Sequence, residues 1–547
     1  KALQDKKGYT ETQAYNLLFS GGLEIHTTQD PDIQSVVDTE ISNPENYDVV
    51  YYSIDYRLSI QHADQTTTNY SDETLKTYFR KDLGESNFDG LFTSKEKADE
   101  AIEKYRTAMT KEGDTILGES VHYVLQPQAS FVLIDQSNGY VKALSGGRGQ
   151  KEVSRSLNRA TNTLRQPGST FKVITSFAPA IDTCGATLGS VYYDAPYTMG
   201  TKTFRNWYSS KGYMGYSTIR DGIVYSMNIV AVRCMIETVT PQLGVEYARN
   251  LGITSLTDSD YNASTALGGI TKGVSNLELT DAFAAIANGG IYTKPVFFTQ
   301  ILDHNGKVLL ENEPETKRVL KDSTAFLLTD AMAQSMESSR MFASSGVSLN
   351  STSAVANIPG MSNAGKSGTT TSNNDIWFVG FTPYYTAGIW SGCDDNQKIS
   401  AIGSSTSYHK KIWKKIMTTI HEGLADTGFP VPSSVTTAQI CRKSGKLAIP
   451  GVCDHDPRGS AVYTEYFAKG TVPTEVCDHH VQLTVCSESG GLATEYCPEK
   501  TTRTFMVIPE GESGGTDDSK YRSPGTCTIH GSSSVVVPSD ETSDENS

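Results

Sequence analysis

The feature that most constrains the fold of this chain is a set of strand-like runs separated by a long stretch of helical pattern. Asn138-Gly139, a dipeptide that favours a tight hairpin turn, lies between the first two runs. Because two further runs return after the helical stretch, the pattern predicts an α+β domain whose sheet is assembled from distant segments. The strand-like runs lie at 131–134, 140–144, 377–381 and 386–390.

Shifts in composition divide the rest of the chain. After Pro430 the residues turn towards Gly, Ser, Pro and Cys, and the final Ser- and acid-rich stretch has almost no apolar anchor, which predicts disorder. The predicted division is a helical junction at 1–22, a linker domain at 23–128, the α+β domain at 129–425, a Cys-rich region with two weak repeats at 426–530 and a disordered tail at 531–547.

One helix is predicted within the linker domain, at 94–110. Thr93 and Glu96 have the spacing of a capping box, which satisfies the free amides at a helix N-terminus. The apolar residues of this stretch recur at helical spacing and form one stripe, which predicts a packing face. These residues are Ala98, Ala101, Ile102, Tyr105, Ala108 and Met109.

Charge and hydropathy exclude some classes of function. The 547-residue chain has a formal net charge of −15 with scattered Lys and Arg residues, so it has no basic footprint for nucleic acid. No apolar run is long enough to span a bilayer, and no signal-peptide pattern is visible. Because the chain opens with Lys1 in a polar helical stretch, we expect a missing N-terminal portion that carries any anchor or signal.

A Ser-x-x-Lys motif follows a Pro-Gly break at 167–168 and opens an apolar-periodic helix. Ser169 is therefore expected near a helix N-terminus, with Lys172 on the same face. A serine hydroxyl is a weak nucleophile that needs an adjacent base, and a lysine amine can serve if burial and neighbouring cations hold it neutral. The helix N-terminus also favours the negative charge that develops during attack.

Short motifs of this kind recur in the chain, so order and context decide between them. Ser94–Lys97 and Ser407–Lys410 share the Ser-x-x-Lys spacing and are interpreted as solvated helix or turn residues. Two other motifs follow in order: Ser226-Met227-Asn228 at a break between helical stretches, and Lys366-Ser367-Gly368 at the start of a strand. A second Lys-Ser-Gly, at 443–445, belongs to the Cys-rich repeats and is not assigned to the site.

This ordered set resembles the serine–lysine, Ser-x-Asn and Lys-Ser/Thr-Gly elements of the penicillin-recognising serine enzymes. The surrounding residues narrow the resemblance to class A penicillin-binding proteins, whose transpeptidase fold is an antiparallel sheet flanked by helices together with an all-helical part. Residues 17–28 resemble the point where such proteins leave a glycosyltransferase domain, which implies that this domain is missing here. The other similar stretches are 165–169, 266–269, 273–295 and 375–383.

The resemblance implies a catalytic role for each matched residue. Ser169 would attack the carbonyl of the penultimate D-Ala of a pentapeptide stem and release the terminal D-Ala, with Lys172 as the base. Ser226 would relay the proton to the leaving amine. Asn228 would orient Lys172 and the substrate amide.

The third motif would bind the substrate. Lys366 would be a catalytic residue, and it would also bind the terminal carboxylate together with Ser367 and Thr369. Gly368 would let the substrate backbone lie against the strand, where a side chain would obstruct it. The backbone amides of Ser169 and Thr369 would form the oxyanion hole.

The function that the resemblance implies is a peptidoglycan D,D-transpeptidase with an acyl-serine intermediate, inhibited covalently by β-lactams. Two alternatives keep the same acylated serine: a D,D-carboxypeptidase, in which water replaces the acceptor amine, and a β-lactam-binding sensor or scaffold. The expected partners are stem peptides, nascent glycan strands and β-lactams. The expected location is the extracytoplasmic face of the bacterial membrane, with the missing N-terminal segment as the anchor, and no cofactor is expected for the chemistry.

The chain has nine cysteines, and six of them crowd into the Cys-rich region as two parallel repeats. Each repeat ends in Cys-x-x-His, so three Cys and one His per repeat fit a structural zinc site. Disulfides are equally compatible with an extracytoplasmic location, although three cysteines per repeat leave one over unless the repeats are cross-linked. The residues are Cys441, Cys453, Cys477 and His480 in the first repeat, and Cys486, Cys497, Cys527 and His530 in the second.

Overall fold

The computed structural model describes residues 1–151, 156–341, 349–508 and 515–531. The tail predicted to be disordered, at 531–547, lies outside the described residues except for Gly531. The chain forms two compact units, each built from three separate stretches. Unit 1 comprises Lys1–Thr175, Pro241–Lys321 and Ser353–Phe429, and unit 2 comprises Ser176–Thr240, Asp322–Thr352 and Pro430–Ser547. The division of the chain into five consecutive segments, which was inferred from composition, stays a prediction.

The strands named here pair antiparallel throughout. They are β1 (Glu24–Thr27), β2 (Tyr51–Gln61), β3 (Thr67–Ser71), β4 (Thr115–Gln126), β5 (Gln128–Asp135), β6 (Tyr140–Ser145), β7 (Val191–Asp194), β8 (Tyr197–Met199), β9 (Lys202–Phe204), β10 (Gly215–Thr218), β11 (Ile291–Thr293), β12 (Phe298–Leu302), β13 (Val308–Glu311), β14 (Thr316–Arg318), β15 (Ala364–Thr369), β16 (Asp375–Phe381), β17 (Thr386–Gly392), β18 (Val435–Cys441), β19 (Val462–Ala468), β20 (His480–Cys486) and β21 (Lys500–Met506).

The α-helices are short to medium in length, and within the described ranges none is long and apolar enough to cross a membrane. They are α1 (Ala2–Lys7), α2 (Glu11–Ser20), α3 (Pro31–Ser42), α4 (Asp72–Thr77), α5 (Lys95–Met109), α6 (Ala178–Asp182), α7 (Ile219–Val224), α8 (Asn228–Arg233), α9 (Pro241–Asn250), α10 (Asn276–Ala287), α11 (Asp322–Met336) and α12 (Tyr408–Ile420).

Unit 1 is organised around a five-stranded sheet with the order β15-β16-β17-β5-β6. The hairpin predicted at Asn138-Gly139 is confirmed, because β5 and β6 pair antiparallel and the Gly139 amide donates to the Asp135 carbonyl at 2.8 Å. β16 and β17, predicted from distant apolar runs, form the next hairpin and join β5 through β17. The predicted α+β class and its sheet of distant segments are therefore confirmed.

Both faces of this sheet are covered by helices. Val379 pairs with Gly388, so Gly380 points to the face opposite to Gly388. A Cβ added at Gly388 would meet Thr280 of α10, whereas a Cβ added at Gly380 would lie 2.9 Å from the Trp413 ring of α12. Burial on both faces explains why β16 and β17 read as nearly continuous apolar runs.

The linker part of unit 1 is a three-stranded sheet, β3-β2-β4, packed against α5. The predicted apolar stripe of α5 is buried at Ala98, Ala101, Ile102 and Tyr105, whereas Ala108 is exposed. The predicted cap at Thr93 was wrong. Ser94 adopts the extended backbone of an N-cap, and its hydroxyl accepts the Lys97 amide at 3.3 Å.

Unit 2 joins helices from the middle of the chain to the hairpins β18–β19 and β20–β21. One buried and one partly buried ion pair connect α7 to the first hairpin. The Arg220 guanidinium donates to the Glu465 carboxylate of β19 at 2.7 Å. Arg442, which directly follows β18, donates to the Asp221 carboxylate at 2.8 Å. Removing one partner of such a buried pair costs about 3–5 kcal/mol, so these pairs tie the C-terminal hairpin to α7.

The corrected helix cap gives a first test. We expect Ser94→Ala to lower the opening free energy of the first amides of α5 by about 1 kcal/mol, because their hydroxyl acceptor is lost. Native-state hydrogen exchange should show these amides exchanging about fivefold faster. Thr93→Ala is the matched control and should leave them unchanged; the opposite pattern would restore Thr93 as the cap.

Candidate active site

The Ser-x-x-Lys motif lies on the turn that begins a helical segment, as predicted. Pro167 precedes a 3-10 turn at Gly168–Thr170, and wider π-type turns continue over Lys172–Phe177. Ser169 is half-buried, and the Lys172 side chain is completely buried. Ser169 is thus partly accessible to solvent, whereas Lys172 is not.

Hydrogen bonds from the central sheet and an adjacent loop hold the segment that leads into this turn. The Trp377 indole of β16 donates to the Gln166 carbonyl at 2.8 Å. The Gln166 side chain pairs with the backbone of Ile270, accepting its amide at 3.0 Å and donating to its carbonyl. Arg165 donates to the Cys393 carbonyl at 2.9 Å. These hydrogen bonds hold the two residues before Pro167 to β16, to the loop at Ile270 and to the backbone of Cys393.

The turn lies against two other backbone segments at positions occupied by glycine. A Cβ added at Gly168 would lie 2.7 Å from the Thr369 carbonyl oxygen of β15. One added at Gly368 would lie 2.5 Å from the Pro167 carbonyl oxygen, and one at Gly268 would lie 2.6 Å from the Gly168 nitrogen. The room beside Gly368 is thus already used by the turn itself, while its expected role against substrate stays a prediction.

β15 carries the third motif and forms an edge of the sheet, since it pairs only with β16 among the described strands. The strand predicted to begin at Lys366 begins at Ala364. Lys366 is buried and donates to the Ser367 carbonyl at 3.0 Å. Ser367 is half-buried and Thr369 is exposed, so polar groups remain accessible along this strand.

Burial lowers the pKa of both lysines of the site. Burial lowers the pKa of Lys172 well below its usual range, and the charge of Lys366 lowers it further. Burial, followed by the charge of Lys410, lowers the pKa of Lys366 to about 7. The lowered pKa of Lys172 favours its neutral amine, which is the state that a base needs.

Lys410 is a residue of this site that the sequence interpretation assigned elsewhere. The pair Ser407–Lys410 was interpreted as solvated helix or turn residues, and both residues are partly exposed. The Lys410 side chain is half-buried on α12, burial lowers its pKa to about 8, and its charge acts on Lys366. The amphipathic pattern of α12 gives no signal for this, because it does not reveal which strand the helix covers.

Ser226 and Asn228 belong to unit 2, where they mark the predicted break between α7 and α8. Ser226 is buried and has a φ of 53°, a left-handed conformation that is uncommon for a serine. Asn228 donates its side-chain amide to the Arg205 carbonyl at 2.8 Å. The Asn206 side-chain oxygen accepts the backbone amides of Asn228 at 2.8 Å and Ile229 at 3.1 Å, which caps α8.

Asn206 is itself held by a buried acid that the sequence interpretation missed. Asp194 accepts hydrogen bonds from the Asn206 side chain, the Tyr208 hydroxyl at 2.9 Å and the Met214 amide at 2.9 Å. Burial raises the pKa of Asp194 to about 6. No motif marks these residues, and the only signal is one acid at the end of the apolar run 191–193.

Two further side-chain clusters in unit 2 could hold metal ions. Each brings together the three Cys and one His of one sequence repeat, with their ligand atoms within 4.8 Å of one another. All nine cysteines lie in the described ranges, and none is in a disulfide.

Family profiles match most of the chain. Residues 129–418 match the profile described as the penicillin binding protein transpeptidase domain. Residues 431–482 match the profile described as the penicillin-binding protein 1A C-terminal domain. The first match covers the Ser169 turn, the Ser226 motif and β15.

Curated relatives are similar over long stretches. A penicillin-binding protein 1A of Clostridium botulinum strain Hall is 30% identical over 532 residues, which cover 94% of this chain and 53% of the relative. Another, from strain Langeland, is 34% identical over 409 residues, which cover 72% of this chain and 47% of the relative. The chain thus spans about half the length of the curated relatives it matches.

Solved structures share the fold at lower identity. Penicillin-binding protein 1A from Haemophilus influenzae has a TM-score of 0.59 at 19% identity, covering 86% of this chain and 76% of that one. PonA1 from Mycobacterium tuberculosis, solved in complex with penicillin V, has a TM-score of 0.55 at 20% identity, covering 79% and 93%. These similarities confirm the predicted transpeptidase fold.

The packing of the Ser169 turn gives a second test. Gly268→Ala should displace the turn, because the new Cβ would meet the Gly168 backbone. We expect the amides of 169–177 to exchange about tenfold faster or more, as overpacking costs about 1–3 kcal/mol. Gly289→Ala is the matched control: Gly289 also has a positive φ, 61°, but nothing lies within 4 Å of its added Cβ. Equal effects of both variants would assign the change to backbone strain alone.

Proposed function

Because this chain belongs to the penicillin-binding protein transpeptidase family, we propose that it is a peptidoglycan D,D-transpeptidase acting through an acyl-enzyme on Ser169. The observation that carries the proposal is the placement of Ser169 three residues before a buried lysine with a lowered pKa, against the strand that contains Lys366. The relatives' greater length makes a bifunctional protein with a glycosyltransferase domain, anchored at the extracytoplasmic face of the membrane, part of the proposal.

In the proposed acylation, Lys172 accepts the Ser169 proton while the serine oxygen attacks the penultimate D-Ala carbonyl. The backbone amides of Ser169 and Thr369 stabilise the oxyanion. The bond to the terminal D-Ala nitrogen then breaks, and Ser226 relays a proton to that leaving amine. Asn228 orients the base and the substrate amide.

In this proposal the edge strand β15 binds the substrate. Lys366 and the hydroxyls of Ser367 and Thr369 bind the terminal carboxylate, and the added charge of Lys410 favours an anion here. An exposed strand edge can also pair with an extended peptide. The acyl-enzyme is then attacked by an amine of a neighbouring stem, which forms the cross-link and regenerates the serine.

A β-lactam would acylate the same serine. The mycobacterial PonA1 structure, which shares the fold, contains penicillin V. A covalent penicillin adduct on Ser169 would support the transpeptidase, the carboxypeptidase and the inert sensor equally. The fate of the acyl-enzyme separates these three functions.

The nucleophile is tested by substitution. Ser169→Ala should reduce labelling by a fluorescent penicillin by at least about three orders of magnitude, because the attacking hydroxyl is removed. Ser407→Ala, which alters a second Ser-x-x-Lys motif, is the matched control and should label at the normal rate. Labelling that persists in Ser169→Ala would overturn the assignment.

The acceptor is tested with pre-polymerised lipid II strands supplied to the chain. A transpeptidase yields muropeptide dimers together with free D-Ala, and we expect these products by mass spectrometry. Release of D-Ala without dimers would identify a carboxypeptidase. If the chain is labelled by penicillin but forms neither product, the result would favour the sensor or scaffold function.

The pKa shifts predict a bell-shaped pH profile for acylation, with apparent values that belong to the lysine pair. Acylation should increase with pH as Lys172 loses its proton and becomes a base. It should decrease as pH increases through about 7, because Lys366 then loses the charge that binds the carboxylate. Arginine stays charged, so Lys366→Arg should flatten the alkaline limb, whereas Lys411→Arg on exposed α12 surface should not. An unchanged alkaline limb in Lys366→Arg would contradict the role of Lys366.

A further inference from the structure

We propose that each Cys₃His cluster of unit 2 binds one structural Zn²⁺ through three thiolates and one imidazole nitrogen. In the first cluster, His480 Nδ1 lies 3.3 Å from Cys441 Sγ and 3.5 Å from Cys477 Sγ. In the second, His530 Nδ1 lies 3.4 Å from Cys486 Sγ and 3.5 Å from Cys527 Sγ. Tetrahedral zinc at its usual bond lengths separates nitrogen from sulfur by about 3.6 Å, so both clusters already have this spacing.

The same backbone scaffold builds both clusters. The Gly445 amide donates to the Cys441 carbonyl at 2.8 Å, and the Gly490 amide donates to the Cys486 carbonyl at 2.9 Å. The third cysteine of each cluster is also placed alike, because the amides of Cys477 and Cys527 donate to backbone carbonyls at 2.8 Å. The weak sequence repeat is therefore also a structural repeat, and each copy forms a cluster of four possible metal ligands.

Backbone amides support negative charge on the sulfur atoms. The Ile449 amide donates to Cys453 Sγ at 3.3 Å, and the Thr494 amide donates to Cys497 Sγ at the equivalent place, also at 3.3 Å. Three thiolates outweigh the charge of one Zn²⁺, and amide donors stabilise the excess. Such donors are expected around metal-bound thiolates.

A carboxylate orients the imidazole in each cluster. His480 Nε2 lies 2.8 Å from Asp456 Oδ2, and Arg458 holds this carboxylate through bonds of 2.9 and 2.8 Å. His530 Nε2 lies 3.1 Å from Glu488 Oε2. A proton on Nε2 shared with the carboxylate leaves Nδ1 to face the sulfur atoms as a ligand. This is the carboxylate–histidine–zinc arrangement.

Disulfides account for these clusters less well. A disulfide within a cluster would join two sulfur atoms at about 2.05 Å and leave the third thiol and the imidazole without a role. The structure instead gathers all four groups around one point in both repeats.

The two sites differ in their protection from solvent. The Asp456 and His480 side chains are 0% exposed, whereas His530 is 18% and Glu488 69% exposed. Solvent and chelators therefore have readier access to the second cluster. We expect zinc to leave it first.

The test is metal analysis of the full chain, expressed with zinc as the only added transition metal. We expect two equivalents of zinc, and release to a chelator in two phases. His480→Ala should retain one equivalent and lose the slow phase, and His530→Ala should lose the fast phase. His479→Ala, the neighbouring histidine outside the cluster, is the matched control and should retain two equivalents.

His480→Cys keeps four ligands and should still bind two equivalents, so it tests the site even if His480→Ala misfolds. Cobalt substitution gives an independent readout, because thiolate-bound Co²⁺ shows charge-transfer absorption of an intensity set by the number of thiolates. A folded chain with no zinc, or with the six clustered cysteines in disulfides by mass spectrometry, would overturn the proposal. Neither result bears on acylation of Ser169, so the two proposals fail separately.

Discussion

The contact on which unit 1 most depends is the backbone-to-backbone packing between the Gly168 turn and β15. Gly168 and Gly368 bring the two backbones together at this contact, so main-chain geometry contributes directly to the placement of the serine. Lys172, three residues after Ser169, is completely buried, and its burial lowers its pKa. The contact therefore holds the turn that carries Ser169 against the edge strand that carries Lys366.

The sequence is most informative where a pattern reports on local geometry. The hairpin at Asn138-Gly139 and the apolar runs of β16 and β17 were predictable, because two-sided burial leaves a continuous apolar record. The three site motifs were found by their order along the chain. The cap of α5 was misplaced by one residue because Thr93 and Ser94 both carry a suitable hydroxyl, and only the backbone angles decide between them.

Features that depend on contacts between separate segments of the chain are not visible as a pattern in the sequence. Asp194 holds Asn206, and Asn206 in turn holds the Asn228 amide, through hydrogen bonds between residues 12 and 22 positions apart. Lys410 has an ordinary helical setting in the sequence, and its influence on Lys366 arises from the strand that α12 covers. The choice between zinc and disulfides also needed coordinates, since the decisive quantity is the distance from each imidazole to its thiols.

The buried ion pair between α7 and the first C-terminal hairpin has a consequence for how such chains can diverge. Arg220 and Glu465 are far apart in sequence, yet each buried charge is paired with the other. A recombination that exchanged the C-terminal region between related genes would leave one of these two charges buried without its partner, unless α7 were exchanged as well. The two stretches should therefore be inherited as a matched set, with substitutions in one compensated in the other.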